Sequence, residues 1–198
     1  MKRLNLLRTI PFSPSRLDST YFMMDWFKDH LADGQKVIDV GSGGDFLPSL
    51  LSNFDKRLEY WGVDIDPKKG KLRTDKIKVK VVKSDILQFN SSKKFEIAAC
   101  LWTLEHIKNH KEACKKIFNL LDKGGFAVVA IPSIWSWPIE FGRHGFRYHS
   151  RSQIIKLVQS AGFKIDEFYE ASGLLGLLFM LIYSWPRYLV LVPLSIIY

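Results

Sequence analysis

The chain has 198 residues, of which 47% are hydrophobic and 14% aromatic, so wholesale disorder is excluded and one domain with a substantial core is expected. Lysine and arginine outnumber aspartate and glutamate by 29 to 20, and the formal net charge of +9 favours an anionic partner, either nucleic acid or the cytoplasmic leaflet of a membrane. Two cysteines, Cys100 and Cys114, indicate neither a disulfide framework nor a zinc site, and they favour the cytosol. The N-terminus is too interrupted by polar residues to be a secretory signal.

A helix is predicted over residues 17–31, ahead of the first strand. Its aromatic residues, Phe22, Trp26 and Phe27, are expected to pack against the sheet rather than to bind a ligand. The apolar run that follows then predicts a buried strand, which delivers Asp39 to the tip of the sheet.

A glycine-rich turn, Gly41 to Asp45, follows this strand directly. Gly41 and Gly43 tolerate positive φ and have no Cβ, so the chain can turn tightly and a ligand can approach closely. A helix is then predicted to begin at Phe46. Strand, turn and helix together are typical of a small-molecule site, and a surface turn with a helix cap is the alternative interpretation.

The pattern of the turn argues against a phosphate ligand. A dinucleotide fingerprint requires G-x-G-x-x-G, but Phe46 stands where the last glycine belongs, and a Walker loop is absent. The Asp39 carboxylate would repel a pyrophosphate, whereas it suits a ligand that carries an ammonium group and a sulfonium charge. S-adenosylmethionine carries both.

Two further apolar runs lead to carboxylates. Asp64 lies 21 residues past Gly43, close to the separation at which an acidic residue reaches a ribose hydroxyl pair in a nucleotide-binding βαβ unit. The third run, residues 77–82, leads to Asp85, which can accept from an adenine amino group with Ile86 beside the ring. Each aspartate alone is equally compatible with a turn or a cap. Three carboxylates at successive strand tips favour one shared ligand site.

Residues 95–101 and 125–132 predict a fourth and a fifth strand, and residues 112–121 between them have helical spacing. Strands that alternate with helices indicate a doubly wound, mainly parallel α/β sheet. The strand tips that carry Asp39 and Leu101 are then expected to flank the topological switch point, where ligands bind in such sheets.

These segments resemble the class I S-adenosylmethionine-dependent methyltransferases, in the group often called the type 11 methyltransferase domain. The matching pieces follow the family's order: VIDVGSGGDF (37–46), GVDIDP (62–67), SDIL (84–87), FEIAACLWTLEHI (95–107), LLDKGGFAVVAIP (120–132) and YHSRSQIIKLVQSAGFKI (148–165). The resemblance implies a Rossmann-like, seven-stranded sheet within a domain of residues 1–173, with S-adenosylmethionine bound at its carboxyl edge. No clear seventh strand follows residues 164–169, so either residues 188–197 supply it or the chain ends before it.

The resemblance also implies which residues surround the cofactor. They are Asp39, Gly41 and Gly43 at the methionine end, Asp64 on the ribose with Ile65 next to it, Asp85 and Ile86 at the adenine, and Leu101 on the floor of the site.

Two features depart from the family's pattern. Asp45 stands where the first motif usually carries a third glycine, and its carboxylate is expected either to cap the following helix or to crowd the methionine carboxylate and weaken binding. The lysine-rich residues 68–73 have little apolar periodicity, so a short or irregular crossover is expected there. Their charge is more typical of a solvated face than of a binding patch.

Methyl transfer from a sulfonium is an in-line displacement, in which much of the catalysis is positioning of donor and acceptor. An oxygen acceptor also needs a base, and His106, just beyond the fourth strand, is the candidate. A structural role for Glu105 and His106 is the interpretation that the pattern favours. In the loop after the fifth strand, Trp135, His144 and Arg147 are the candidate substrate contacts. Ser150 is expected to cap the next helix.

The hydrophobic tail, residues 174–198, contains one charged residue, Arg187. Its two apolar arms are each too short to cross a bilayer alone. They are expected to lie in the membrane interface or to form a re-entrant hairpin, with packing on the sheet as the alternative. The expected location is therefore cytoplasmic and peripheral, on the inner face of the membrane.

The predicted function is methyl transfer from S-adenosylmethionine to a small molecule at the membrane surface, with a lipid-linked, isoprenoid or sugar-containing acceptor. Two alternatives stay open. An RNA methyltransferase fits the basic charge, but no Asn-Pro-Pro-aromatic signature follows the fourth strand and no Pro-Cys pair is present. A catalytically silent, membrane-bound scaffold with the same fold is compatible with Asp45 in the glycine turn.

Overall fold

The computed structural model describes residues 14–68, 70, 72, 74–132 and 149–169, with only the main chain for residues 14–18. Its elements in chain order are α1 (Pro14–His30), β1 (Lys36–Val40), α2 (Phe46–Leu51), β2 (Leu58–Asp64), β3 (Ile77–Lys83), β4 (Phe95–Leu101), a 3₁₀ turn (Leu104–His106), α3 (His110–Leu120), β5 (Leu121–Ala130) and α4 (Arg151–Ser160). All five predicted strands are present. The fifth begins at Leu121 rather than at Gly125, directly after α3.

The strands form a parallel sheet in the order β3-β2-β1-β4-β5. Because β1 pairs with both β2 and β4, the chain changes the direction in which it builds the sheet between β1 and β4. This confirms the predicted switch point between Asp39 and Leu101. The described part of the chain holds five of the seven predicted strands: residues 163–169 belong to no strand, and residues 188–197 lie outside the described residues.

Helices cover both faces of the sheet. The first face packs against α1 and α2, and its buried residues include Phe27, Val37, Leu47, Tyr60 and Ile97. The second face packs against α3 and α4, with Ile38, Val63, Ala98, Ile117 and Leu157 among its buried residues. Central strands that are buried on both faces read as continuous apolar runs, which is why β1 and β4 were predictable. The aromatic residues of α1 pack against the sheet, as predicted.

Strand β3 lies at the edge of the sheet and is poorly covered. Among the described residues of the two connections that flank it, 65–76 and 84–94, no helix is formed. Val79 and Val81 are therefore 45% and 46% exposed. The predicted irregular crossover after β2 is confirmed, because residues without an apolar stripe have nothing to bury as a helix.

The start of α4 is fixed by the residue that the sequence predicted. Ser150 begins α4 with a capping box: its side chain accepts from Gln153 N, and the Gln153 side chain accepts from Ser150 N. This confirms the predicted cap.

Within the described residues, no helix combines the length and the apolar character that a bilayer crossing requires. The hydrophobic tail lies outside the described residues.

The unequal cover of the sheet predicts unequal costs for the same substitution. Val37 on β1 and Val79 on β3 point to the same face, but Val37 is fully buried. We expect Val37→Ala to lower the free energy of unfolding by about 2 kcal/mol, from lost burial and the residual cavity. Val79→Ala is expected to cost less than about 1 kcal/mol. Urea denaturation of both variants measures the difference, and equal losses would show that β3 is covered after all.

Candidate active site

The glycine turn lies between the carboxyl end of β1 and the start of α2. Gly41 has a φ of +77°, and a Cβ at this position would overlap the side chain of Thr103, so only glycine fits. The Gly41 N–H donates to the Val63 carbonyl at 2.7 Å, which ties the turn to β2. Gly43 also has a positive φ, +57°, but no atom lies within 4 Å of a Cβ built on it. The turn is therefore packed at Gly41 and open at Gly43.

Asp64, the last residue of β2, holds the open side of this turn. One carboxylate oxygen accepts from Gly43 N at 2.8 Å, and the other accepts from Asp66 N at 2.8 Å. A carboxylate offers about four acceptor positions, so capacity remains for a pair of hydroxyl donors. The next residue, Ile65, is 70% exposed beside it. An accessible carboxylate next to an exposed aliphatic side chain and an open glycine fits the ribose and adenine of S-adenosylmethionine.

Asp39 lies one residue before the end of β1 and is only 3% exposed. Its carboxylate accepts from the Tyr60 hydroxyl at 2.7 Å. Burial raises the pKa of Asp39 to about 7, the Tyr60 hydrogen bond opposes this shift, and the neighbouring Asp64 carboxylate adds to it. Asp39 therefore sits beneath the rim of the site, whereas Asp64 sits on the rim.

Asp85 and Ile86 follow β3 in a turn. Asp85 is exposed, and its carboxylate accepts from Leu87 N at 2.9 Å, while its carbonyl accepts from Phe89 N at 2.9 Å. The Ile86 side chain is buried in the core of the second face. The turn role that the sequence left open for Asp85 is thus present, and the contact of both residues with adenine stays a prediction.

Strand β4 delivers Leu101 and Trp102 to the opposite side of the switch point. Leu101 is buried, and Trp102 has a φ of +50°, an uncommon conformation for a bulky residue. Its N–H donates to the Ala130 carbonyl at 2.7 Å. Thr103 then donates from its hydroxyl toward Leu101 O and Gly41 O, at 3.1 and 3.3 Å. Thr103 was not singled out from the sequence, because only the fold brings it against the glycine turn.

The Glu105-His106 pair lies in the 3₁₀ turn that follows. Glu105 is buried, and the His106 side chain is 46% exposed, with its Nε2 4.0 Å from the Glu105 carboxylate. The pair ends this short turn, and α3 begins only at His110. Of the two residues, His106 is the one that a ligand can reach.

Asp45 has a partner that the sequence did not predict. Its side chain makes no capping hydrogen bond to α2, so the predicted helix cap is wrong. One oxygen instead accepts from Leu72 N at 3.1 Å, and Lys68 N donates to the Gly43 carbonyl at 2.8 Å. Two hydrogen bonds therefore fasten the connection after β2 to the glycine turn. The three predicted substrate contacts, Trp135, His144 and Arg147, lie outside the described residues.

A family model described as a methyltransferase domain matches residues 16–167. The chain belongs to this methyltransferase family. The match covers the parallel sheet, the glycine turn and the 3₁₀ turn, and it confirms the resemblance to the class I S-adenosylmethionine-dependent methyltransferases. S-adenosylmethionine is accordingly the cofactor that the site is built to hold.

The individual relatives that match this chain are named for different activities. A carboxy-S-adenosyl-L-methionine synthase from Nautilia profundicola is 30% identical over 63% of this chain and 55% of its own length. A ubiquinone biosynthesis O-methyltransferase from Rickettsia bellii is 24% identical over 60% of this chain and 50% of its own length. The chain thus spans about half the length of the curated relatives it matches.

A solved structure shares the fold. Magnesium protoporphyrin IX methyltransferase from Synechocystis, crystallised with S-adenosylhomocysteine, is 16% identical, with a TM-score of 0.58 over 81% of this chain and 79% of that protein. This likeness shows a common Rossmann-like architecture. It leaves the methyl acceptor to be argued from the site itself.

The buried carboxyl of Asp39 predicts a distinctive pH dependence. A group whose pKa is about 7 in the folded chain and 3.8 in the unfolded chain keeps its proton where the unfolded chain has lost it. The free energy of unfolding should therefore fall as the pH rises from about 4 to about 7, by up to about 4 kcal/mol from this residue. Asp39→Asn, which is neutral, should flatten this slope and stabilise the protein at pH 8.

Tyr60→Phe is the companion variant for this measurement. It removes the hydrogen bond that opposes the shift, so the pKa of Asp39 should rise further and the fall in the free energy of unfolding should continue above pH 7. Thermal or urea unfolding from pH 4 to above pH 7 gives both curves. A wild-type curve that rises through this range and is unchanged by Asp39→Asn would contradict the buried, proton-holding carboxyl.

Proposed function

We propose that this chain is an S-adenosylmethionine-dependent methyltransferase that acts on a small molecule. The observation that carries the proposal is the contact between the Asp64 carboxylate and the Gly43 N–H at the switch point of the sheet. This contact holds an acidic hydroxyl acceptor beside an open glycine turn. When bound, the cofactor supplies a methyl group that its sulfonium has already activated, so the chain's residues act mainly by positioning.

The residues divide into those that meet the cofactor and those that support them. Asp64, Ile65 and Gly43 form the accessible surface toward ribose and adenine. Asp39 lies on β1, the strand that leads into the turn. When its carboxyl is ionised, it adds negative potential near the positively charged end of the cofactor. Asp45 has a structural partner in Leu72 N, so its presence in the turn is not by itself an argument for a silent scaffold.

For the acceptor, we favour a lipid-linked, isoprenoid or sugar-containing molecule at a membrane surface. Two observations support this choice. The tail has a single charged residue between positions 174 and 198, and one relative, from Rickettsia bellii, is named for ubiquinone biosynthesis. The proposed location is the cytoplasmic face of the membrane.

A second candidate is chemistry on the cofactor itself. The relative from Nautilia profundicola, at 30% identity, is named as a synthase of carboxy-S-adenosyl-L-methionine rather than as a methyltransferase. Incubating the protein with methyl-labelled cofactor and a cell extract separates the two candidates. Label in a new product supports methyl transfer, whereas a cofactor of altered mass supports the second candidate.

Asp64→Asn is expected to weaken binding of S-adenosylmethionine by about 10- to 100-fold, because a hydrogen-bonded carboxylate contributes about 1.5–3 kcal/mol. Asp75→Asn, an exposed aspartate on the same connection, removes the same charge and serves as the control. Isothermal titration calorimetry measures both. The proposal fails if the wild-type protein gives no binding heat, and the assignment of Asp64 fails if both variants bind like the wild type.

His106→Ala tests whether the chain supplies a base. If the acceptor atom is an oxygen and His106 removes its proton, kcat should fall by about 100-fold or more while cofactor affinity stays unchanged. Transfer of labelled methyl to the extract product is the assay. A kcat within about twofold of the wild type would assign His106 to the structural role that the sequence favours.

A further inference from the structure

The positive charge of the chain is concentrated in one segment. Residues 65–83 contain eight lysines or arginines and two aspartates, so they carry a net +6 of the chain's +9. Lys69, Lys71 and Arg73 lie outside the described residues, and the inference does not use them. The lysines of β3 are described: Lys78, Lys80 and Lys83 are exposed, and no carboxylate of the described residues forms an ion pair with them.

These lysines stand on an edge that the fold leaves open. Among the described strands β3 pairs with β2 alone, and its described flanking connections contain no helix. Lys78 and Lys80 point to the face of the sheet that holds Trp61, whereas Val79, Val81 and Lys83 point to the opposite face, because successive side chains of a strand alternate. Ile65, just after the neighbouring strand, is 70% exposed. This edge therefore carries lysines together with aliphatic side chains. We call it the β3 edge and define it as residues 77–83 and Ile65.

The Trp61 ring, in register with Lys80 of the β3 edge, is already covered by lysine side chains. Lys80 Nζ lies 3.8 Å from the centroid of the Trp61 ring, and Lys93 Nζ lies 5.3 Å from it. Proteins that bind single-stranded RNA stack bases on exposed aromatic rings. Because Trp61 is occupied and the exposed apolar residues here are aliphatic, the β3 edge fits an anionic bilayer better than RNA.

We infer that the β3 edge is a docking surface for an anionic phospholipid bilayer. Lys78 and Lys80 reach lipid phosphates from one face of the strand and Lys83 from the other, while the exposed side chain of Ile65 enters the headgroup layer. Asp64 at the end of β2 is in register with Lys83, so docking brings the rim of the cofactor site close to the bilayer. The inference rests on the proposed function only for the reason why docking would be useful, which is access to a methyl acceptor. Lipid binding itself requires neither an acceptor nor the cofactor.

The test is flotation of the full chain with vesicles of two compositions: equal parts phosphatidylglycerol and phosphatidylcholine, or phosphatidylcholine alone. The variant is Lys78→Gln/Lys80→Gln/Lys83→Gln. At about fivefold per lysine, it should bind the anionic vesicles about 100-fold more weakly than the wild type, and wild-type binding should weaken as salt is added. The matched control, Lys111→Gln/Lys115→Gln/Lys156→Gln, removes the same charge from exposed positions on α3 and α4 and should bind like the wild type.

Three outcomes would overturn the inference. Equal binding of the wild type to both vesicles would assign membrane contact to the hydrophobic tail instead of the β3 edge. Equal losses of binding in the two triple variants would show that net charge alone, and not the β3 edge, determines binding. Salt-sensitive retention of RNA that disappears in the β3 variant, without anionic vesicle binding, would assign the surface to nucleic acid. Calorimetry with S-adenosylmethionine, run on the same proteins, separates these outcomes from failure of the proposed function, because unchanged cofactor affinity leaves that function standing.

Discussion

The candidate site depends on the hydrogen bond from the Gly43 N–H to the Asp64 carboxylate. It joins the turn after β1 to the last residue of β2, two strands that are already paired in register. A glycine turn without such a partner would sample many conformations, since glycine loses more backbone freedom on folding than any other residue. The carboxylate thus has two tasks: it fixes the turn, and it keeps acceptor capacity for a ligand. This arrangement explains why an acidic residue stands at the end of β2.

The second wall of the site is fixed from the other direction. Strand β4 ends in a residue with positive φ, Trp102, and the next residue, Thr103, packs into the space that Gly41 leaves by lacking a Cβ. Strained backbone at the switch point persists only where neighbouring contacts hold it, here the bond from Trp102 N to the β5 carbonyl of Ala130. The switch point is therefore clamped by β2 on one side and by β5 on the other.

Features that depend on a local sequence pattern were predicted correctly. The predictions failed where the hydrogen-bond partner of a side chain comes from a distant part of the chain. Buried central strands, the glycine turn and the spacing from Gly43 to Asp64 are readable because each follows from periodicity or a fixed separation. Asp45 was expected to cap α2, but a short carboxylate accepts from whichever N–H the tertiary structure brings near, and here that is Leu72 N. The burial of Asp39 against Tyr60 was missed for the same reason, since the two residues meet only when β1 pairs with β2.

The β3 edge shows how one sequence property has two structural consequences. The flanking connections lack the apolar periodicity that a crossover helix needs, so within the described residues no helix flanks β3 and no second strand pairs with it. An open edge with a plain apolar face invites pairing with another strand, and lysines on such edges are a common protection. Lys78, Lys80 and Lys83 form no ion pair with a carboxylate of the described residues, and Lys80 also covers the Trp61 ring. Attraction to an anionic surface would give the same lysines a second role beside this protection.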